Sequence, residues 1–290
     1  MKETILQHVA RIPLYIRWPA NHFRLGQHPS RQRGSGLEFD QIREYQLGEG
    51  VGRINWAATA RRGGTPLLVN TYYEEKEITV MLLVDMSASM DFGSYRVTKR
   101  TLAAEVSASL VYSALLAYDR IGLAGFSDRL ECYFPPRRSS RYQHMLPEAI
   151  LTHPTHQGHT DFRIATEVAE NRVPSPALLF LLSDFLTEDE EQLSQMLDRL
   201  RFRHDLIALV MADPREEEVP AGEGRIAVRD LESGQRVVYR LSRTRVNLKR
   251  QAQLASLFQR FHIPYIRITS QTHYIDDLTQ LFLRRRREGG

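Results

Sequence analysis

Short, uninterrupted apolar runs alternate with longer amphipathic segments over most of the chain, and this rhythm restricts the fold more than any other feature. The runs have the length of strands and lack a polar residue at every second position, which is typical of strands buried on both faces. They are ITVMLLVD, RIGLAGFS, PALLFLLSD, DLIALVMAD and IPYIRITS. The alternation predicts an α/β fold with a doubly wound, mostly parallel sheet flanked by helices.

The beginning of the chain has a different texture, in which arginine, glycine and aromatic residues alternate. Segments around Leu37–Arg43 and Leu67–Tyr73 have the composition of short strands joined by Gly-rich turns. We therefore predict a small β-rich N-terminal extension at residues 1–77 and a main domain at residues 78–290. We expect Trp56 to be buried where the extension packs on the main domain, so that its replacement by alanine would cost a few kcal/mol.

The composition excludes several classes of protein. With 42% hydrophobic and 26% charged residues the chain is globular, and its single cysteine, Cys132, excludes an internal disulfide framework. No apolar run approaches the roughly 20 residues needed to cross a bilayer. We therefore expect a cytoplasmic protein without a membrane span. A formal charge of +4 is too small to indicate nucleic-acid binding by itself.

Oxygen-bearing side chains follow two of the predicted strands and precede one predicted helix. Asp85, Ser87 and Ser89 come at the end of the first core strand, and Asp184 ends PALLFLLSD. Thr160 lies in the loop HPTHQGHTDF, just before a helix. Functional groups of a doubly wound sheet belong at the carboxyl ends of its strands, so we expect these residues to converge at that edge.

This set contains carboxylates and hydroxyls but no sulfur or imidazole, which suits a hard divalent cation such as Mg²⁺ or Mn²⁺. Hydroxyl ligands neutralise little of the cation's charge, so an Asp or Glu of a partner can complete the coordination. We therefore predict a docking site for a carboxylate and no enzymatic activity. Taken singly, Asp85, Ser87 and Thr160 also suit helix caps, and that alternative stays open.

The same residues form a recognisable pattern. A D-x-S-x-S motif, a Thr in G-x-T-D and an Asp after a hydrophobic strand together resemble the metal-ion-dependent adhesion site of von Willebrand factor A domains. The resemblance implies that Ser87, Ser89 and Thr160 are direct or switchable metal ligands. It also implies that Asp85 and Asp184 act mainly through coordinated water.

A second resemblance covers residues 26–287 and is to the DUF58 family. Its hallmark is an R-x-Y…G…R-x-I-[DN]-W…A-R block ahead of the A domain, and the matching residues are Arg43, Tyr45, Gly48, Arg53, Ile54, Asn55, Trp56, Ala60 and Arg61. The later ADPREEEVPAGEGRIAVRDLESGQ and ITSQTHYIDDLTQLFLRRRR segments are similar to the family as well. At the family's usual G-D-D turn this chain has Gly48, Glu49, Gly50 and Val51.

The DUF58 resemblance implies a von Willebrand factor A-like domain that works with a MoxR-type AAA+ ATPase. Such a protein is an adaptor or co-chaperone that couples the motor to a client protein, whose identity the sequence does not contain. Many relatives carry two membrane helices ahead of the hallmark block, and the absence of such helices here agrees with the expectation of a cytoplasmic form.

An enzyme is the main alternative. Asp85 after a core strand resembles the nucleophile of phosphatase-like, metal-dependent hydrolases, but those need a second acid two residues later, where this chain has Ser87. The chain also lacks the G-x-x-x-x-G-K-[ST] motif of P-loop ATPases. His153, His156 and His159 leave a zinc site as a weaker alternative, although Pro154 and Gly158 favour a loop.

Nucleic-acid binding is the third alternative. The segments PPRRSSR and ARRGG and the arginines 284–287 are basic, and Trp18 and Trp56 could stack on bases. These clusters are far apart in sequence and belong to different predicted elements. We therefore expect them to be solvated or to face a protein partner, with no nucleic acid bound.

Overall fold

The computed structural model describes residues 38–46, 48–73, 77–94, 97–154, 159–187, 189–214, 225–229, 236–240 and 246–288. The described residues divide into two compact units, one before and one after the junction between Glu77 and Ile78. Trp18 and the rest of the N-terminal segment lie outside the described residues.

The unit before this junction contains a two-stranded antiparallel sheet and a short helix. The elements are β1 (Glu38–Glu44), α1 (Trp56–Arg61) and β2 (Leu68–Tyr73). The helix begins where the Asn55 side chain accepts a hydrogen bond from the backbone N–H of Ala58 at 2.9 Å and donates one to Asn70 at 2.8 Å. The predicted strands of the extension are confirmed within the described residues.

Glu49 organises the turn after β1, at the position where the sequence departs from the family pattern. Its carboxylate accepts hydrogen bonds from both terminal nitrogens of Arg43, one of them at 3.0 Å. Its backbone carbonyl accepts a hydrogen bond from the Tyr45 hydroxyl at 2.8 Å. Glu49 therefore binds Arg43 through its carboxylate and Tyr45 through its backbone carbonyl.

The expected burial of Trp56 is wrong, because 60% of its surface is exposed. Trp56 is the first residue of α1, and the side of the unit that is buried is formed by Ile54, Thr59, Leu68 and Val69 instead. The large loss of stability expected for a buried tryptophan therefore does not apply to this residue.

The unit after Ile78 is an α/β sandwich. Its strands are β3 (Thr79–Asp85), β4 (Arg120–Phe126), β5 (Leu130–Arg137), β6 (Leu178–Ser183), β7 (Asp205–Met211), β8 (Arg225–Arg229), β9 (Arg236–Arg240) and β10 (Tyr265–Ile268). Its helices are α2 (Lys99–Leu116), α3 (Tyr142–Thr152), α4 (Phe162–Arg172), α5 (Glu190–Arg203), α6 (Val246–Arg260) and α7 (Tyr274–Glu288). None of the helices in the described parts of the chain combines the length and apolarity required to cross a membrane.

Six of the strands form one sheet in the order β10-β7-β6-β3-β4-β5. All neighbours pair in parallel except β4 and β5, which form an antiparallel hairpin. The strands β8 and β9 form a separate antiparallel pair, and the residues that join them lie outside the described ranges. The predicted doubly wound, mostly parallel sheet is therefore confirmed.

The sheet has a hydrophobic core on each face. Because side chains alternate along a strand, Val80, Leu82 and Val84 of β3 face one core, while Met81 and Leu83 face the other. The first core is covered by α2, α3 and α7, and the second by α4, α5 and α6. Burial on both faces explains why the central strands read as continuous apolar runs.

Both edges of the sheet carry features that limit further strand pairing. At one edge β5 contains Pro135 and Pro136, which have no backbone N–H to donate. At the other edge β10 is only 4 residues long. Cys132 lies in β5 and is half-buried.

The terminal arginine run is only partly solvated. Arg284 is exposed, whereas Arg285 is 3% exposed and forms a buried ion pair with Asp205, at the start of β7. The expectation that arginines 284–287 are solvated or face a partner is therefore wrong for Arg285, because the helix turns this residue inward.

A buried histidine makes the unfolding free energy depend on pH. His204 is 1% exposed at the end of α5, and neither ring nitrogen has a well-formed hydrogen bond among the described residues. Burial, followed by the charge of Arg203, lowers the pKa of His204 from 6.5 to about 4, although the backbone of Ala169 opposes the change.

The lowered pKa of His204 predicts a loss of stability in acid. The unfolded chain binds the proton more readily, so this contribution is fully present above pH 6.5 and is lost as the pH falls toward about 4. The whole loss is on the order of 3 kcal/mol. Urea unfolding of wild type and His204→Leu at several pH values should show a difference that changes across this window. His144→Gln, at an exposed position, is the control for the loss of an imidazole outside the core.

Candidate functional site

The carboxyl ends of β3 and β6 form the floor of the candidate site. The two strands are parallel neighbours with Val84 opposite Leu182, so Asp85 and Ser183 end side by side and Asp184 follows. Thr160 comes from the segment that precedes α4. All five residues predicted from the sequence are buried at this edge: Asp85, Ser87, Ser89, Thr160 and Asp184.

Asp85 is the centre of a hydrogen-bonded cluster. Its Oδ1 accepts from the backbone N–H of Ser87 at 2.9 Å. Its Oδ2 accepts from the hydroxyls of Thr160 at 3.1 Å and Ser183 at 2.6 Å. The hydroxyls of Ser87 and Ser89 lie 3.0 Å apart where the chain enters a short 3-10 turn. Four of the five predicted residues are thus linked in one network.

The loop after β3 is held by its neighbours. The backbone N–H of Met86 donates to the carbonyl of Phe126 at 2.7 Å, which extends the pairing with β4 beyond the strand. The Met86 side chain packs closely against Gly125, where an added Cβ would lie 2.3 Å from the Met86 sulfur. Arg100 of α2 donates to the carbonyls of Met86 at 3.0 Å and His153 at 3.1 Å. These hydrogen bonds hold the loop after β3 in place.

Thr160 is positioned by the start of α4. The neighbouring Asp161 is the helix cap, since its carboxylate accepts from the backbone N–H of Arg163 at 2.9 Å. The backbone N–H of Asp161 donates to the carbonyl of Ser127 at 3.0 Å, which ties the segment to the end of β4. The capping alternative therefore applies to Asp161, and the Thr160 hydroxyl remains directed at Asp85.

Asp184 is bound on one side by a lysine and on the other by its own turn. Its Oδ2 accepts from Lys99 Nζ at 2.7 Å, and its Oδ1 accepts from the backbone N–H of Leu186 at 3.0 Å. Phe185 has a left-handed backbone with φ of 54°, which is costly for a residue with a side chain. Its ring stacks on Phe162 at a centroid distance of 5.8 Å and meets Phe258 edge-on at 5.3 Å. This packing holds the strained turn.

The two carboxylates repel each other in a buried environment. Burial raises the pKa of Asp85 to about 6, and the negative charge of Asp184 adds to the rise. Hydrogen bonds from Ser183 and Ser87 favour the ionised form and limit the increase. A positive charge placed between these acids would relieve both the repulsion and the cost of burial.

The donor set fits a small divalent cation. In octahedral coordination with bonds of about 2.0–2.1 Å, neighbouring ligand oxygens are roughly 2.9 Å apart. The spacings of 3.0 Å between the Ser87 and Ser89 hydroxyls and 3.1 Å between Thr160 and Asp85 are close to that value. The cluster offers only oxygen atoms, which suit Mg²⁺ or Mn²⁺ better than a softer metal.

The structure gives the zinc alternative no support within the described residues. No group of three or more His, Cys, Asp or Glu side chains there lies in an arrangement that could hold a metal. The Nε2 atom of His153 lies 2.9 Å from Glu131, His159 is exposed, and His156 lies outside the described ranges.

Two residues of the cluster were missed by the sequence analysis, Lys99 and Ser183. Ser183 directly precedes Asp184 at a strand end, so its position was itself a signal. Lys99 and Arg100 stand in the first turn of α2, where positive charges oppose the helix dipole. Basic residues in that unfavourable position indicate specific acceptors nearby, and the structure provides them.

Solved structures share this fold. BatB from Bacteroides thetaiotaomicron is 15% identical, with a TM-score of 0.51 over 71% of this chain and 98% of that one. An aerotolerance-related membrane protein from Bacteroides fragilis is 14% identical, with a TM-score of 0.50 over 71% of this chain and 99% of that one. At such low identity the likeness establishes the fold alone, which is von Willebrand factor A-like.

Sequence comparison gives the family. The chain is 30% identical over 211 residues to the uncharacterized protein Rv1480 of Mycobacterium tuberculosis and to its Mycobacterium bovis counterpart Mb1516. The match covers 72% of this chain and spans 65% of the length of these relatives. The profile of the family described as protein of unknown function DUF58 matches residues 41–256. The chain therefore belongs to the DUF58 family.

Proposed function

We propose that this protein is a metal-dependent protein–protein interaction adaptor. In this proposal Mg²⁺ or Mn²⁺ is held at the carboxyl edge of the sheet by the residues of the cluster, and a carboxylate of a second protein docks there. The residues that would hold the metal are Asp85, Ser87, Ser89, Thr160 and Asp184.

One observation supports this proposal above all others. Three separate segments bring oxygen-bearing side chains into one buried cluster, with spacings of 3.0 Å and 3.1 Å that are compatible with shared coordination of a small cation. Burial, and after it the negative charge of Asp184, raises the pKa of Asp85. A bound cation would stabilise the ionised form of this buried carboxylate, which favours metal binding over helix capping.

Each residue has a separate task in the proposed site. When bound, the cation supplies an electrophilic centre that accepts an oxygen of the partner's carboxylate. Ser183 and the backbone of Ser87 orient the Asp85 carboxylate, and Arg100 holds the loop that carries Ser87. Ser89 is 7% exposed and Thr160 is 5% exposed, so these hydroxyls lie nearer to an approaching ligand than the fully buried Asp85.

The same geometry argues against the phosphatase-like alternative. A nucleophilic carboxylate must reach its substrate with a free oxygen. Asp85 has no exposed surface, and both of its oxygens already accept hydrogen bonds. The adaptor is therefore the better-supported function.

We infer the partner from the family. Membership in DUF58 favours a MoxR-type AAA+ ATPase, which this protein would couple to a client protein in the cytoplasm during maturation or remodelling of that client. An acidic side chain on the ATPase or on the client would be the ligand of the metal.

The proposal predicts that complex formation requires a divalent cation. Purified protein should retain a MoxR-type ATPase of the same genome on an affinity column in Mg²⁺, release it in EDTA, and recover it when Mn²⁺ is added back. The experiment is done without nucleotide, because the ATPase itself binds Mg²⁺ together with nucleotide. Equal retention in EDTA would contradict metal-dependent docking, and no retention in any condition would contradict the choice of partner.

A further inference from the structure

The side chain of Lys99 lies inside the candidate site and is paired with one of its acids. Lys99 is the first residue of α2 and only 2% exposed, and its ammonium lies 2.7 Å from Oδ2 of Asp184. The ammonium also lies 5.8 Å from the centre of the Phe92 ring. A lysine is rarely buried to this extent unless it is paired with an acid, and here the acid belongs to the cluster itself.

The charges of the cluster determine what it can bind. When ionised, Asp85 and Asp184 supply two negative charges, and the Lys99 ammonium that is paired with Asp184 offsets one of them. A divalent cation would therefore leave the buried cluster with one excess positive charge. One carboxylate from another molecule would bring the total to zero. Without Lys99 the two acids alone would neutralise the cation, and no further anion would be needed.

We propose that Lys99 makes metal binding at this site depend on an acidic ligand from a second molecule. By itself the cluster holds a divalent cation weakly, because an uncompensated charge in a buried site is costly. With a carboxylate present, the cation and the carboxylate stabilise each other. This inference rests on the proposed function and adds to it the device that links metal occupancy to the partner.

Thermodynamic linkage between metal and carboxylate binding allows this proposal to be tested without knowing the partner. If a carboxylate increases the affinity for the metal, the metal increases the affinity for the carboxylate by the same factor. Acetate can replace the partner's side chain, and Mn²⁺ can be followed by the loss of its free electron paramagnetic resonance signal. Protein-free titrations correct for the weak binding of acetate to Mn²⁺ in solution.

The first arm of the test uses wild-type protein. Its dissociation constant for Mn²⁺ should fall about 5-fold or more when sodium chloride is replaced by sodium acetate at the same ionic strength. No change between the two salts would overturn the inference. This arm needs no substitution, so it decides the question even where a variant fails to fold.

The second arm removes the charge. Lys99→Met replaces the ammonium by an uncharged, unbranched side chain that is one atom shorter. This variant should bind Mn²⁺ about 10-fold more tightly than wild type in chloride, with no further gain in acetate. Arg284→Met removes one positive charge at an exposed position and should behave as wild type. Equal affinities of Lys99→Met and wild type for Mn²⁺ would contradict the role given to Lys99. Circular dichroism shows whether each variant is folded.

The outcomes separate the two proposals. Wild type could bind Mn²⁺ in chloride with an affinity that acetate does not increase and that Lys99→Met also shows. In that case the role given to Lys99 is wrong, while metal-dependent docking stands. If wild type binds no Mn²⁺ in either salt, the ammonium is the only cation of the site and both proposals fail.

Discussion

Asp85→Asn is expected to weaken the Mg²⁺-dependent complex about 100-fold or more, which corresponds to roughly 3 kcal/mol of binding free energy. The substitution removes the central negative charge of the proposed metal site and changes the side-chain volume little. Binding is measured by titrating the partner ATPase in Mg²⁺, and direct Mn²⁺ binding should weaken in parallel.

The variant should nevertheless fold. The asparagine oxygen can still accept from the backbone N–H of Ser87, and the hydroxyls of Thr160 and Ser183 can rotate to accept from the amide. The charge that is lost is one that burial and Asp184 disfavour, as the raised pKa of Asp85 indicates. In EDTA the melting temperature should therefore equal or exceed that of wild type.

Asp128→Asn is the matched control for this substitution. Asp128 follows β4, the strand next to β3, and is exposed. This variant should bind the partner as wild type does. If Asp85→Asn retained full Mg²⁺-dependent binding, the docking model would be wrong whatever the stability of the variant.

Arg285→Ala is expected to cause the largest loss of stability, about 3–5 kcal/mol. Arg285 of α7 and Asp205 of β7 form a buried ion pair, with side chains that are 3% and 7% exposed. Removing the guanidinium would leave the Asp205 carboxylate buried without this counter-charge. Chemical unfolding at neutral pH measures the effect.

Neighbouring and double substitutions test the cause. Arg284→Ala removes the adjacent, exposed arginine and should change stability by no more than about 0.5 kcal/mol. The double variant Arg285→Leu with Asp205→Leu should be more stable than Arg285→Ala, because it removes both buried charges. Equal effects of Arg285→Ala and Arg284→Ala would show that the pair contributes nothing.

The architecture could be predicted because its signals are local and repeated. The composition of runs such as PALLFLLSD indicates that they are buried, and most of the helices between them have an amphipathic period. The exception is α2, which is buried around most of its surface. The position of Asp85 and Asp184 at one edge then follows from the parallel connection of the strands, since the carboxyl ends of parallel neighbours must meet.

The features that were missed depend on contacts between distant segments. Lys99 and Asp184 are 85 positions apart, and Arg285 and Asp205 are 80 apart, so no local pattern links the members of either pair. Trp56 was expected to be buried because large aromatic residues usually are. Its exposure depends on how a six-residue helix is oriented, which composition does not determine.

The two edges of the six-stranded sheet limit the ways in which another protein can bind to this domain. Strand addition needs a row of free main-chain donors and acceptors along a border. Pro135 and Pro136 remove donors from one border, and the strand at the opposite border is 4 residues long. Neither border favours growth of this sheet by an incoming strand, so we expect a protein partner to be recognised here mainly through side chains.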